Sequence, residues 1–526
     1  MFTKSIASLP ACRRLVVAIA AVAALSPLAA HAQSTPGTTR VIVAFKPGAA
    51  GAGRAALAAA RGNVKHQIHG LDAIAIEVPT QALAGLSRNP NIEYVEEDER
   101  RYLLGGATPT TGTPYATGQL MPYGIQMVQA DQLAATNAAS RTVCVIDSGY
   151  DGAHEDLPHG ANVSGTDDAG TGHWFTDENH HGTHVAGTIA ALNNAGKGVV
   201  GVSSNGTLNL HIIKVFDAEG WAYSSTLSSA ANRCRDAGAN IISMSLGGPR
   251  STRTEQRTFD ALAANNILSI AAAGNDGNNR VSYPAGYASV VSVAAIDENK
   301  QQATFSQFNK DVEIAAPGVN VLSTVPMGSG SVSTLSVGGT AYAPGGMEGS
   351  PKTSASGPLA DFGLGGSVVA GSMTGKICLI QRGTYEFAVK VQNCQDSGGI
   401  GAVVYNNAPG GYGGTLGTTV TTIPSVTASD TEGAAMKLQL GQTAALSVTA
   451  SNYAFYDGTS MATPHVSAVA ALVWALKPGC TAAQLRTSLN LSAEDLGTPG
   501  RDTKFGYGLV RAKAAVDRIT SAGCGK

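Results

Sequence analysis

Between residues 141 and 316 the chain repeats one pattern: a short apolar run, then a stretch with helical character. The runs are Arg141–Asp147, Leu208–Phe216, Ala239–Met244, Ile267–Ala273, Val290–Ala295 and Val312–Ala316. Short, almost continuously apolar runs suit strands buried on both faces. Parallel strands need long, usually helical crossovers, so the alternation predicts an α/β fold built on a doubly wound, mainly parallel sheet. In such a sheet, sites gather at the carboxyl ends of the strands.

Three distant segments can meet at that edge. Asp147 ends the apolar run Arg141-Thr-Val-Cys-Val-Ile-Asp147 and is followed by Ser-Gly. His181 opens the small-residue helical stretch His181-Gly-Thr-His184-Val-Ala-Gly. Ser460 lies in Asp457-Gly-Thr-Ser460-Met-Ala-Thr-Pro464-His465, where a turn runs into an alanine-rich helix. A hydroxyl there meets unpaired backbone N–H groups and the positive end of a helix dipole. A carboxylate, an imidazole and a hydroxyl together make a nucleophile, its base and the group that orients the base. The rival reading of His181 and His184 as a metal-binding pair lacks the glutamate of a His-Glu-x-x-His helix. His184 and His465 read as packed helix residues, and His154, His159 and His173 as loop residues without a role.

With Ser-Met-Ser-Leu-Gly-Gly248 and Ala-Ala-Ala-Gly-Asn275 added, five segments in this order resemble the subtilases, the subtilisin-like serine endopeptidases. The resemblance implies that Ser460 is the nucleophile, His181 the general base and then acid, Asp147 its orienter and Asn275 an oxyanion donor. It also implies protein and peptide substrates, a monomer, and pocket walls at Ser245–Gly248 and Ala271–Gly274. Activity should rise as His181 loses its proton, near the ordinary histidine value of about 6.5. Two other classes are a catalytically dead binding scaffold and a serine carboxyl peptidase active in acid. The intact Asp147, His181, Ser460 and Asn275 argue against both.

Lys4, Arg13 and Arg14 precede an apolar stretch ending near Leu25 and then Ala30-His-Ala32, which reads as a cleavable signal over residues 1–32 and an exported, extracellular enzyme. The apolar part is too short for a membrane anchor. Its removal takes Cys12 and leaves six cysteines, an even number that argues for disulfides among 15 possible pairings. The expected pairs are Cys144–Cys234, Cys378–Cys394 and Cys480–Cys524, with a buried free thiol as the alternative for Cys144. Residues 33–104 alternate strand and helix patterns as a small ferredoxin-like α+β unit. They resemble the inhibitory propeptide of subtilases, the enzyme's own inhibitor, which implies a segment that assists folding and leaves its C-terminal tail in the active-site cleft; the acidic run Glu96–Glu99 reads as a solvated turn. The Gly/Thr/Pro-rich stretch 105–118 reads as an exposed linker, and maturation should cut between about Leu103 and Gln119.

The catalytic unit then occupies 119–334 and 451–526. Residues 335–450 shift to Gly, Ser, Thr and Val, and through Gly375–Gly383, Phe387–Cys394 and Gly398–Asn407 they resemble a protease-associated domain, a β-rich insertion. Its role is either to control access to the cleft and bind protein substrate or to act as a spacer. The family's strong calcium site is matched at Gln119, Asp156, Leu192, Asn194 and Val199, oxygen donors that suit Ca²⁺; Lys197 falls in the same loop and would oppose a cation. A net charge of −2 with no dense basic tract argues against nucleic acid as a partner.

Overall fold

The computed structural model describes residues 37–107, 118–133, 140–168, 170–194 and 196–526. The expected signal, residues 1–32, and most of the expected linker lie outside them.

Strands β1 (Thr38–Phe45), β2 (Asn63–Gln67), β3 (Ala73–Pro79) and β4 (Ile92–Glu97) form an antiparallel sheet in the order β2-β3-β1-β4, with α1 (Ala50–Ala59) and α2 (Leu83–Ser87) between them. Its core includes Val41, Val43, Ile74, Ile76 and Val78 on one face and Ile42 and Ala44 on the other. The chain then leaves as β5 (Arg100–Leu103) and β6 (Gly106–Ala107), which join sheets of the following unit instead.

That unit starts at α3 (Tyr123–Met127) and contains the seven-stranded sheet. In chain order its strands and helices are β7 (Thr142–Asp147), β8 (Val163–Asp167), α4 (His181–Ala190), β9 (Asn209–Lys214), the short β10 (Trp221–Tyr223), α5 (Ser224–Asp236), β11 (Ile241–Met244), the short β12 (Leu246–Gly247), α6 (Arg253–Ala264), β13 (Leu268–Ala272), β14 (Val290–Ile296) and β15 (Ile314–Pro317). The sheet order is β15-β14-β13-β11-β7-β9-β8, with every pair parallel. The sheet is the predicted doubly wound one, and β7 lies inside it between β11 and β9. Strand β16 (Val321–Thr324) leads out of it.

From β17 (Gly330–Val337) through β25 (Thr443–Ser451) the chain builds a separate nine-stranded sheet, with α7 (Phe387–Asp396) and α8 (Asp430–Lys437) packed on it. Its two ends run side by side, Gly330 opposite Ser451 in the antiparallel β17–β25 ladder. The chain returns through β26 (Tyr453–Asp457), antiparallel to β16, and enters α9 (Thr459–Leu476), followed by α10 (Ala482–Ser492) and α11 (Ala512–Ala522). Helix α9 is apolar and long enough by composition to cross a bilayer, but 89% of it is buried, which makes it the core helix. Pro464 is the sixth residue of this helix and cannot donate to the Ser460 carbonyl one turn back, which accepts the Ser245 hydroxyl at 2.7 Å instead.

The three disulfides are Cys144–Cys234, Cys378–Cys394 and Cys480–Cys524, with Cα separations of 5.7, 6.3 and 5.4 Å that suit the bond. The first ties β7 to α5.

Candidate active site

Asp147 ends β7, His181 is the first residue of α4, Ser460 the second of α9, and α4 packs against α9. Asp147 Oδ1 lies 2.8 Å from His181 Nδ1 and also accepts the Ser148 N–H at 2.8 Å. Both side chains are buried. With Nδ1 held by the carboxylate, His181 Nε2 is the ring nitrogen left for proton transfer; it is buried without a hydrogen-bond partner. The Ser460 hydroxyl donates to the Ser245 carbonyl at 2.8 Å, while Ser245 Oγ donates to the Ser460 carbonyl at 2.7 Å. Ser460 therefore has to rotate about χ1 to engage His181.

Asn275 follows β13. Its Oδ1 accepts from the Thr459 N–H at 2.9 Å and from Thr459 Oγ1 at 2.8 Å, which fixes the amide and leaves Nδ2 as a donor. A Cβ placed on Gly458 would lie 2.5 Å from the Leu104 carbonyl oxygen and 3.2 Å from Asn275 Nδ2, so both atoms border the same small space.

The segment 100–107 runs through the cleft, as the resemblance to a subtilase propeptide implied for its C-terminal tail; the occupied stretch continues past residue 104, so Gly106 and Ala107, expected in the linker, form a strand instead. β5 is hydrogen-bonded between β10 and β12, pairing Tyr102 with Trp221 and Leu103 with Leu246. β6 pairs with β26, Gly106 opposite Asp457. Between them the Leu104 carbonyl accepts the Ser460 N–H at 3.1 Å. Attack there would form an oxyanion with the Ser460 N–H and Asn275 Nδ2 at hand. A Cβ on Gly105 would lie 2.9 Å from Met461 Sδ and 3.1 Å from Ser460 Cβ, so a side chain is crowded out next to the hydroxyl. On the Leu104 side the pocket wall is small: a Cβ on Gly247 would come 2.9 Å from Leu104 Cδ1.

The acidic run is not a solvated turn. Glu96 accepts the N–H groups of Arg253 and Thr254, at 2.7 and 2.9 Å, at the start of α6. Asp98 is 4% exposed and accepts from Ser225 N–H (3.0 Å), Ser225 Oγ (2.7 Å) and Ser224 Oγ (3.1 Å) at the start of α5, with Arg40 as its counter-charge at 2.8 Å. Two carboxylates of the N-terminal unit thus cap two helices of the next.

Sequence reasoning also missed Asp177. It is buried and accepts from Ser148 Oγ (2.8 Å), His180 N–H (2.9 Å) and Thr183 N–H (2.8 Å), anchoring the first turn of α4 that carries His181. A carboxylate just ahead of a helix start was the available signal. His184 Nε2 faces the carbonyls of Val321 and Ala454, and burial pushes its pKa down to about 3, so it is a neutral packed residue. His465 is likewise buried, its Nδ1 on the Met461 carbonyl and its pKa pushed down to about 4. His154 is no idle loop residue: its Nδ1 accepts the Asp156 N–H at 3.1 Å and its Nε2 lies 2.9 Å from the Asn452 carbonyl.

The residues expected at the calcium site lie near one another, with Val199 meeting Asp156 through its N–H rather than through its carbonyl. Gln119 Nε2 lies 2.9 Å from the Leu192 carbonyl and 3.4 Å from Asn194 Oδ1. Asp156 Oδ2 accepts the Val199 N–H at 2.8 Å, and its Oδ1 is buried without a hydrogen-bond partner. Burial raises the Asp156 pKa to about 6, partly offset by the Val199 N–H. Oxygens gathered around a single amide, with an orphaned carboxylate oxygen beside them, fit a hard cation once the Gln119 amide turns its oxygen inward. Lys197 points away, 64% exposed and 3.4 Å from Glu155. Beyond β6, a cavity of about 790 Å³ runs from Gly106 and His181 to Ser331, Glu348, Lys352 and Phe387, so the inserted sheet roofs one end of the cleft.

A sequence profile of the subtilase family matches residues 139–361 and 407–508, and one of the PA domain matches 341–436. Subtilisin DY of Bacillus licheniformis is 40% identical over 214 residues, covering 40% of this chain and 76% of that protein. An alkaline protease of Alkalihalobacillus alcalophilus is 36% identical over 266 residues, covering 50% of this chain and 64% of its own length. Among solved structures, the psychrophilic subtilisin-like protease Apa1 of the Antarctic psychrotroph Pseudoalteromonas sp. AS-11 is 42% identical with a TM-score of 0.60, covering 78% of this chain and all of that one.

Proposed function

Because this chain belongs to the subtilase family and is a serine endopeptidase, we propose that it is made as a self-inhibited zymogen whose own Leu104–Gly105 bond is its first substrate. One observation carries this reading: the Leu104 carbonyl accepts the Ser460 N–H at 3.1 Å, with chain hydrogen-bonded into the cleft on both sides.

Ser460 Oγ turns from the Ser245 carbonyl to His181 Nε2, which takes its proton as the oxygen attacks the Leu104 carbonyl. Asp147 holds the Nδ1–H and stabilises the imidazolium. The oxyanion accepts from the Ser460 N–H and Asn275 Nδ2. His181 then protonates the Gly105 nitrogen, which leaves as a new N-terminus. Water, deprotonated by the same ring, releases the acid at Leu104. Residues 38–104 stay bound through the helix caps and β5 until they dissociate or are digested. Protein substrates follow the same strand-pairing path as residues 100–107.

The signal-like N-terminus and three disulfides support export to an oxidising, extracellular compartment, where the enzyme acts as a monomer. Gln119, Asp156, Leu192, Asn194 and Val199 would hold a structural Ca²⁺, whose charge would compensate the buried Asp156 carboxylate. Ser460→Ala expressed in a protease-deficient host should accumulate the chain still joined at Leu104–Gly105, while the wild type yields a new N-terminus at Gly105. Normal processing of the alanine variant would refute self-cleavage.

A further inference from the structure

The cleft holds a buried carboxylate for which the proposed chemistry has no use. Arg101 stands fourth in the chain counting back from the Leu104–Gly105 bond, and it is 0% exposed. Its Nη2 donates to Glu255 Oε2 at 2.7 Å and to the Arg250 carbonyl at 2.9 Å, and its Nη1 to the Arg100 carbonyl at 2.9 Å. Glu255 is equally buried.

The local structure is arranged to leave that carboxylate available. Glu255 is the third residue of α6 after the cap Thr252, whose Oγ1 accepts the Glu255 N–H. A glutamate there ordinarily reaches back to the cap's own N–H. Here the Tyr287 hydroxyl accepts the Thr252 N–H at 2.8 Å, and Glu255 turns toward the cleft, 3.0 Å from the same hydroxyl. On the other side, a Cβ on Gly248 would lie 2.9 Å from Arg101 Nη1 and 2.5 Å from the Arg100 carbonyl, so only glycine leaves room for the guanidinium. Burial pushes the Glu255 carboxyl up and Arg101 pulls it back down. Without a cation, the pocket holds a buried carboxylate whose one remaining partner is the neutral Tyr287 hydroxyl, with no counter-charge.

We propose that Glu255 makes the substrate pocket for the fourth residue before the cleaved bond selective for arginine. This rests on the reading that Leu104–Gly105 lies in the cleft as a substrate does. Arginine is favoured over lysine because its rigid planar fork serves Glu255 and the Arg250 carbonyl from Nη2 while Nη1 holds the Arg100 carbonyl. A leucine in its place strands Glu255, and sites with buried polar groups reject partners that leave those groups unpaired.

The test uses the matured full-length enzyme and internally quenched peptides with Leu-Gly at the cleaved bond, differing only in Arg, Lys or Leu at the fourth position before it. The expected kcat/KM ratio of Arg to Leu is about 100-fold, with Lys between, in the range set by truncating one partner of a buried charge pair. Glu255→Leu made together with Arg101→Leu, so that the chain's own tail still fits, should bring the Arg-to-Leu ratio below one. Arg101→Leu alone, with Glu255 intact, should slow maturation of the precursor. Wild-type cleavage of all three peptides within about threefold would overturn the inference alone, as would an arginine preference that survives the double change. Absence of both peptide cleavage and fluorophosphonate labelling at Ser460 would overturn it together with the functional reading.

Discussion

Replacing Asp98 with alanine isolates what the helix caps contribute to self-inhibition. In the complex its carboxylate accepts three hydrogen bonds from Ser224 and Ser225 and faces Arg40. Cap removal typically costs about 0.5–2 kcal/mol, and loss of a partly buried negative charge at a helix N-terminus about 0.3–2 kcal/mol more. The released donors regain water only in part, because the pocket stays under β4 and β5. The expected loss is about 2–4 kcal/mol, or roughly 30- to 700-fold in affinity at 1.4 kcal/mol per tenfold. The assay adds a polypeptide of residues 33–104 to matured enzyme and follows slow-binding inhibition of peptide hydrolysis. Glu97→Ala is the control: its carboxylate is 64% exposed and 3.6 Å from Arg250, and such surface pairs are worth about 0–1 kcal/mol. If Asp98→Ala weakens inhibition no more than Glu97→Ala, the caps do not hold the inhibitor.

Gly105→Val should block self-cleavage at Leu104, because a Cβ there meets Met461 and Ser460; N-terminal sequencing that finds cleavage at the same bond would contradict this. Asp177→Ala should lower kcat about 10- to 100-fold with little change in KM, since a small displacement of a catalytic group costs on that scale; an equal rise in KM would point to general unfolding of the cleft. For Asp156, a pKa raised to about 6 in the fold exceeds the ordinary carboxylate value of about 3.9. The native state therefore binds more protons between the two values, and metal-free stability falls as pH rises through that window. Calcium, which needs the ionised form, should raise Tm more at pH 8 than at pH 5; equal effects at both would exclude Asp156 as a ligand. Replacing residues 331–450 by a short turn should change kcat/KM on intact proteins more than on short peptides, and unchanged values on both would make the insertion a spacer.

What the sequence made legible has a physical pattern. Asp147, His181, Asn275 and Ser460 each sit where a strand or helix begins or ends, and the apolar runs beside them announce those ends. Strand β2 escaped notice because Asn63-Val-Lys-His-Gln67 is mostly exposed at a sheet edge and carries no apolar alternation. Glu96 and Asp98 read as part of a solvated turn, and Arg101 drew no reading, because their partners in α5 and α6 lie 126 or more residues away. Local sequence cannot reveal a donor that arrives from α5 or α6. Asp177 lies closer to its partners, but its meaning depends on Ser148 sitting beside it after the sheet has formed. The residues proposed for calcium were named only by resemblance, and the outward turn of Lys197 could not be read from the loop's length.

From the catalytic sheet's side, everything between β16 and β26 amounts to one oversized hairpin. Gly330 faces Ser451, and the Val325 N–H bonds to the Asn452 carbonyl, so the ladder is closed before the insertion begins. Closing a loop grows more costly only with the logarithm of its length, so the core is nearly indifferent to what hangs beyond that point. The position is a socket. Other modules grafted between residues 330 and 451 should leave the fold intact while still placing their base beside β26, the strand that receives the chain after the cut.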